Sequence, residues 1–430
     1  MNIAIIGTGI SGLTAAYYLQ NKHQLTLFEK DREIGGHTAT KDITVNGHSY
    51  ALDTGFIVFN DRTYPNFIAL MDELGVVSQN TEMSFSVKSA RSGLEYGGTN
   101  LNSLFAQRRN IFNPKHWRML SDILRFNREI MAALDGDTLT KTQTLDTYLN
   151  ENKYSQAFIN SYLIPMGCAI WSSPTASMLD FPLYFFAQFF KNHGLLSVTN
   201  RPQWKVIQGG SRNYLEPLIK GFKHNIKTNS DIKSVSRNAS NVLITMQNGD
   251  EHVFDEVIFA CHSDQALILI EDITPEENEV LGAMLYQDNE VILHTDESVL
   301  PKRRDAWSSW NYWLRKDVQE RAVLTYNMNI LQGINSDITF CVTLNATDAI
   351  DPESIIGCFN YSHPVFTSES VNSSERWDDV NGIDHTWFAG AYWGNGFHED
   401  GVTSGKRVAK AINSLVPSKS AVDAGAASSA

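Results

Sequence analysis

The chain opens on an apolar, β-branched run, Ile3 to Ile6, which stops at Gly7-Thr-Gly9-Ile-Ser11-Gly12. A stretch with helical spacing follows, Leu13 to Gln20, and then a second short apolar run, Leu25 to Phe28. This order predicts a strand-turn-helix-strand unit with parallel strands. From about Leu101 to Leu196 apolar residues recur at helical intervals and are rich in Leu, Phe, Trp and Tyr, which predicts a helical insertion. Short strands return over 206–262, where Asn248-Gly249-Asp250 reads as a hairpin turn between Val242–Thr245 and Val253–Phe259. Further strands run from Glu290 to Tyr361, a last one spans Trp387–Ala389, and glycine-rich loops then lead to a final helix at about Val402–Leu415. Residues 417–430 are rich in Ala, Ser and Gly and read as a disordered tail.

At 430 residues the chain has length for two or three folded units, and 42% apolar with 19% charged residues fits an ordinary globule. The net charge of -13 repels polyanions, so nucleic acid is not an expected partner. Cys168, Cys261, Cys341 and Cys358 never fall closer than 17 apart, which fits neither a zinc site, nor a CxxC pair, nor a disulfide framework. They read as reduced thiols. The first 19 residues lack a basic leader and carry three glycines at motif spacing, so a cytoplasmic location is expected.

In the glycine turn, Gly7 permits the tight bend, Gly9 lets backbone N–H groups approach a pyrophosphate, and Gly12 lets helix pack on strand. Ser11 lies in the same turn. Glu29, 17 residues after Gly12 with Lys30 beside it, is placed to accept hydrogen bonds from a ribose diol, a solvated strand-end acid being the alternative.

Asp31-Arg-Glu-Ile-Gly35-Gly36-His37 continues the pattern, and from here the chain resembles the flavin amine oxidase superfamily. Asp53-Thr-Gly55-Phe56, Gly209-Gly210-Ser211, Phe388-Ala-Gly390 and Gly401-Val402-Thr-Ser404-Gly405 repeat the family's other motifs in order. His37 stands where the family usually has arginine, which removes a bidentate cation. The resemblance implies bound FAD and an α/β fold: a Rossmann-like FAD-binding domain interleaved with a substrate domain of mixed sheet plus helical insertion, amine oxidase/protoporphyrinogen oxidase-like. The FAD-binding parts are expected at 1–62, 206–270 and 366–416, and the substrate-domain parts at 63–205 and 271–365. It also implies that Gly390 and Ala391 approach the ribityl chain and that the helix beginning near Gly401 and Val402 aims its N-terminus at the flavin. Ala391 replaces the usual acid, leaving Glu399 or Asp400 as ribityl partners. Ile232 lies where backbone groups meet adenine, or is plain strand core.

A closer similarity is to bacterial flavoproteins encoded beside, or fused to, cyclopropane fatty acid synthases. It is carried by Trp307-Ser-Ser-Trp310-Asn311-Tyr312, Tyr361-Ser-His363-Pro364-Val-Phe366 and Gly390-Ala-Tyr392-Trp393-Gly394-Asn-Gly396-Phe397-His398-Glu399-Asp400-Gly401. This implies oxidoreduction on or near fatty acyl chains and the synthase as a partner. Amine oxidases of the family often keep a lysine on a substrate-domain strand, and the corresponding Asn289–His294 has none. Amine oxidation with peroxide release, and a non-catalytic FAD-bound partner of the synthase, are the other readings. His398 is the candidate acid/base near the flavin, or part of a helix cap. His363 faces the flavin or ends a strand, and Trp310 and Tyr312 form a substrate cage or core packing. Cys358 reads as a buried small hydrophobe, with a covalent flavin bond as the alternative. The apolar run Phe181–Phe190 is buried or lines an acyl tunnel.

One window departs from the overall charge. Between 104 and 128, Arg108, Arg109, Lys115, Arg118, Arg125 and Arg128 face a single acid, Asp122, with Phe105, Phe112 and Trp117 interleaved. It reads as a peripheral contact with an anionic membrane surface, or as a solvated helical face.

Overall fold

A computed structural model describes residues 1–415 apart from 141, 172–174, 198, 200 and 317–320, so the tail expected at 417–430 lies outside the described residues. The runs Asn2–Ile6 and Glu256–Phe259 lie at the middle of a five-stranded sheet, in the order Ile226–Lys227, Gln24–Phe28, Asn2–Ile6, Glu256–Phe259, Thr386–Phe388. Every pairing in it is parallel. Strands covered on both faces read as unbroken apolar runs, and Ile3, Ala4, Ile5, Val257, Ile258 and Phe259 are all fully buried.

One face of this sheet carries the helices Ile10–Leu19 and His398–Leu415, which cross closely because two glycines allow it. A side-chain carbon added at Gly405 would stand 2.4 Å from the Ser11 carbonyl oxygen, and one at Gly401 would stand 2.6 Å from Ile10 Cγ2. The other face is covered by a meander of Ile232–Arg237, Val242–Met246 and Glu251–Phe254. The apolar run expected as one strand, Val253–Phe259, is therefore two. The chain leaves the meander after Phe254 and enters the parallel sheet at Glu256, with Asp255 between them exchanging hydrogen bonds with Asn2 at 2.7 and 2.8 Å.

A second sheet of seven strands runs Ile355–Val365, Leu285–His294, Cys341–Leu344, Leu324–Asn327, Trp310–Leu314, Phe85–Ser89, Glu95–Gly97. Helices within the expected insertion, including Pro114–Asp135 and Leu183–Asn192, close over it. Phe126, Ile130, Phe158, Phe186 and Phe190 pack with Tyr312 and Leu324 in one core. Tyr312 is only 1% exposed, so of its two readings the structure gives core packing. Cys358 is exposed on its strand, not buried, because it lies on the outward side of an edge strand.

Asp53 ties together three segments distant in sequence. Its buried carboxylate accepts from Thr40 Oγ1 at 2.6 Å, from Ser211 N and Oγ at 2.9 Å each, and from Gln332 Nε2 at 3.2 Å. Burial nevertheless pushes its pKa up to about 6. No helix among the described residues is long and apolar enough to cross a membrane.

Candidate active site

The glycine turn sits at the carboxyl ends of the parallel strands, where open α/β sheets bind ligands. Gly7 has φ +107, and an added side-chain carbon would meet the Ala260 carbonyl oxygen at 2.6 Å. At Gly12 the same carbon would stand 2.2 Å from the Gly7 oxygen, whereas at Gly9 it would meet nothing within 4 Å. Two of the glycines are therefore required by the protein's own packing, and the middle one borders open space. Gly9 caps the helix Ile10–Leu19 without a side-chain hydrogen bond, and the first turn holds no acid. Its leading N–H groups are left to an outside acceptor, the arrangement that suits a phosphate.

Three more of the expected segments converge on this turn. Gly35 N donates to the Thr8 oxygen at 3.1 Å, and Gly36, at φ +56, lies against Gly9. The His37 carbonyl accepts from Phe56 N at 2.7 Å and leaves no room for a side chain at Gly55. Phe56 in turn stacks on His398, with ring centroids 3.6 Å apart and planes at 11°. Glu29 ends its strand beside Thr8, accepting from Thr8 N at 3.0 Å, from Thr8 Oγ1 and from Asp31 N at 3.0 Å. It thus orders its own turn, while Lys30 points to solvent. Ile232, partly buried, opens the first strand of the meander next to the segment whose Ser230 N donates to the Glu29 carbonyl.

The C-terminal part of the site departs from expectation. The final helix begins at His398 rather than near Gly401 and Val402, because Asp400 accepts from Phe397 N at 2.9 Å and Gly401 N already donates to the Phe397 carbonyl. Gly401 and Val402 lie inside the first turn, the one pressed on Ile10 and Ser11, the other fully buried. Neither is a free helix end. Glu399, expected near a ribityl chain, accepts instead from Asn66 N and Nδ2 at 3.0 and 2.8 Å and from Phe67 N at 2.8 Å. It caps the helix Pro65–Glu73, which has no side-chain cap from its own N-cap residue. Asp400, the other acid of that pair, is spent on Phe397 and packs against Gly394. Gly390 N donates to Ser404 Oγ at 3.0 Å, and Ala391 starts the turn that follows.

A group of imidazoles from three segments gathers beside the turn: His37 after Gly36, His262 after the parallel strand Glu256–Phe259, and His363 in the second sheet. His37 lies 5.5 Å from His363, 5.5 Å from Tyr361 and 6.1 Å from His262, ring centre to ring centre. Burial lowers His37 and His262 to about 4 and His363 to about 3, each further disfavoured as a cation by a neighbouring ring. All three are neutral near pH 7. Nε2 of His37 is buried with no partner among the described residues, an orphan that a bound group would satisfy. His363 lies within the strand Ile355–Val365 and does not end it. Its Nδ1 meets Asn289 Nδ2 at 3.2 Å. Asn345 Oδ1 accepts from Glu290 N, so its Nδ2 is the donor to Asn289 Oδ1 at 2.8 Å, and Asn289 must donate to His363. The imidazole therefore carries its proton on Nε2. His398, only 8% exposed, shares its own Nε2 with Thr38 Oγ1 at 3.1 Å and Tyr214 OH at 3.2 Å, and burial lowers its pKa well below the ordinary value. Such groups can donate or accept a hydrogen bond without carrying charge.

His262 and Thr38 fall in no motif, and Tyr361 and Asn289 lie in compared stretches without a role of their own. His262 could have been found from its place, since it follows the Glu256–Phe259 strand as Gly7 follows Asn2–Ile6. Trp310, partly buried, packs edge-on against Tyr326 at 5.3 Å and is not brought to the imidazoles.

The residues fit a dinucleotide with a flavin: an uncapped helix end and open space at Gly9 for the pyrophosphate, Glu29 at the strand end, and an orphaned imidazole nitrogen beyond. When bound, FAD supplies the two-electron chemistry, and the protein positions the substrate and excludes water. The fold is shared with an engineered putrescine oxidase (TM-score 0.68, 16% identity, 96% of this chain and 99% of that one). A fatty acid isomerase from P. acnes that produces CLA matches equally well (TM-score 0.69, 16% identity, 95% and 98%). Cyclohexylamine oxidase from Brevibacterium oxydans IH-35A gives a TM-score of 0.66 at 15% identity over 96% and 99%. The sequence model for flavin containing amine oxidoreductases matches residues 10–315. The chain belongs to that family and is an FAD-dependent oxidoreductase.

Proposed function

We propose that the protein oxidises, desaturates or isomerises a fatty acyl chain, for which bound FAD would supply the two-electron chemistry, with His398 and His363 as the protein's proton-handling groups. The observation that carries this reading is that the imidazoles meeting the second sheet are neutral. His37, His262 and His363 are held neutral by burial, and the facing strand presents Asn289, within the stretch where family amine oxidases often keep lysine. The neutral rings offer a protonated amine no counter-charge of their own, and their faces can pack against an alkyl chain. Aromatic packing supports the same reading. The helix Leu183–Asn192 stacks Phe185 on Phe366 and Phe189 on Phe397, at 5.4 and 5.3 Å, directly before His398. The fatty acid isomerase with this fold is a precedent for acyl chemistry, and two amine oxidases with the same fold are precedents for the alternative.

Product analysis tests the reading. FAD-loaded protein is incubated with bacterial phospholipids and free fatty acids, and the recovered chains are examined for oxidation level and double-bond position. Altered chains are expected. Unaltered chains, together with peroxide formation from a panel of small amines, would replace this reading with amine oxidation.

A further inference from the structure

The basic window takes a definite shape in the structure. Phe105 is buried against His116 and Trp117 and does not reach outward. Around it an apolar cap is exposed: Phe112 is 87% accessible, Leu101 75%, Leu124 57% and Trp117 50%. The cap is held rigidly. Trp117 Nε1 donates to the Ile111 carbonyl at 2.8 Å, Asn113 caps the helix Pro114–Asp135 through Lys115 N at 3.1 Å, and Arg108 Nη1 donates to the Phe105 carbonyl at 2.8 Å. Trp117, Ser121, Leu124 and Arg128 form one outward stripe of that helix at spacings of three and four. Met119, Phe126 and Ile130 form its inward face.

The cations divide into two groups. Arg118 and Arg125 are bound to Asp122, which is buried, and Arg108 lies 3.6 Å from Asp305. Arg109, Lys115 and Arg128 have no acidic partner among the described residues, although the chain as a whole carries -13. Unpaired cations around projecting Trp, Phe and Leu side chains match the two components of an anionic bilayer surface, charged headgroups and an apolar interior. We infer that this cap, Leu101, Ile111, Phe112, Trp117 and Leu124 with Arg109, Lys115 and Arg128, docks the protein on anionic lipid. The docked helix packs its buried Phe126 against Phe186 of Leu183–Asn192, the helix that carries the aromatic wall, so the two helices share one core. The inference itself stands on residues outside that site.

The test is co-sedimentation of FAD-loaded protein with vesicles of phosphatidylglycerol and phosphatidylcholine in equal parts, and with phosphatidylcholine alone. Wild type is expected to pellet with the anionic vesicles and to be released by salt. Replacing Arg109, Lys115 and Arg128 by Gln together should weaken partitioning about a hundredfold, near fivefold for each cation. Phe112→Ser should weaken it too, while leaving its dependence on salt unchanged, because no charge is removed. A control triple variant, Lys22→Gln, Lys220→Gln and Lys233→Gln, exposed residues of the dinucleotide side, should bind as wild type. Wild type that stays in solution, a cap variant that pellets equally, or a control that weakens as much would overturn the inference. So would retention by an acidic protein partner without vesicle binding. The reaction is read separately: detergent-dispersed lipid needs no docking, so a docking failure leaves its chain products unchanged, and a failed acyl reading leaves sedimentation unchanged.

Discussion

Asn289 donates through Nδ2 to Nδ1 of His363, and the direction of that bond is fixed two residues away from the ring, by the backbone N–H of Glu290 on Asn345. A neutral imidazole with its proton on Nε2 is the consequence. Asn289→Asp can only accept, so it should move the proton to Nδ1 and raise the His363 pKa from about 3 toward and beyond the ordinary range. Nitrogen shifts of the labelled imidazole, followed through a pH titration, read both changes. Identical tautomer and titration in the variant would show that the asparagine does not set the ring.

Gly9 and Gly12 should fail in different ways. A side chain at Gly9 meets nothing of the protein within 4 Å, so Gly9→Val should fold with near-normal stability and bind no FAD. One at Gly12 is forced to 2.2 Å from the Gly7 oxygen, so Gly12→Val should destabilise the fold itself by about 1–3 kcal/mol or more. Circular dichroism melts and flavin content of the two variants separate packing from ligand approach.

Glu29→Ala removes an acceptor for Thr8 N, Thr8 Oγ1 and Asp31 N, not for a ribose alone. The apoprotein should therefore lose about 1–3 kcal/mol, besides holding FAD less tightly. Urea unfolding of the apoprotein checks the first effect, and an unchanged midpoint would confine Glu29 to the ligand.

Acid should weaken the fold through its imidazoles. Near pH 6.5 the unfolded chain takes up protons that His37 and His262 refuse until about 4, so their contribution to stability, full above 6.5, falls as pH drops toward 4. Asp53 and Asp400, raised to about 6, act oppositely between 3.8 and 6, because there the folded state holds the extra proton. The clean reading is a difference: His262→Gln should lose less stability than wild type between about pH 7 and pH 4.5. Equal losses would show that His262 titrates normally.

The opening unit was legible because unbroken apolar runs and a glycine turn leave few alternatives, and its three glycines fall into the three roles their spacing suggests. The meander hairpin was legible for the same local reason, with Gly249 at φ +89 in its turn. What stayed hidden depends on partners far along the chain. The acids of His398-Glu399-Asp400 look alike in sequence, yet Glu399 caps a helix 333 positions away and Asp400 caps its own. The start of the last helix moved with them. In the basic window, net charge could not tell Arg118, bound to the buried Asp122, from Arg109, which is not. The imidazole group was invisible because three separate segments meet there, and only His37 and His363 lay in recognisable motifs.

The most direct measurement is the visible absorbance of the FAD-loaded protein, mixed without oxygen with dispersed acyl lipids in one arm and small amines in the other. Acyl chemistry beside neutral imidazoles predicts bleaching of the oxidised flavin band by lipid, or a band unchanged at steady state with double bonds moved in the recovered chains, and no bleaching by amines. Bleaching by an amine, with lipid chains recovered intact, would contradict it.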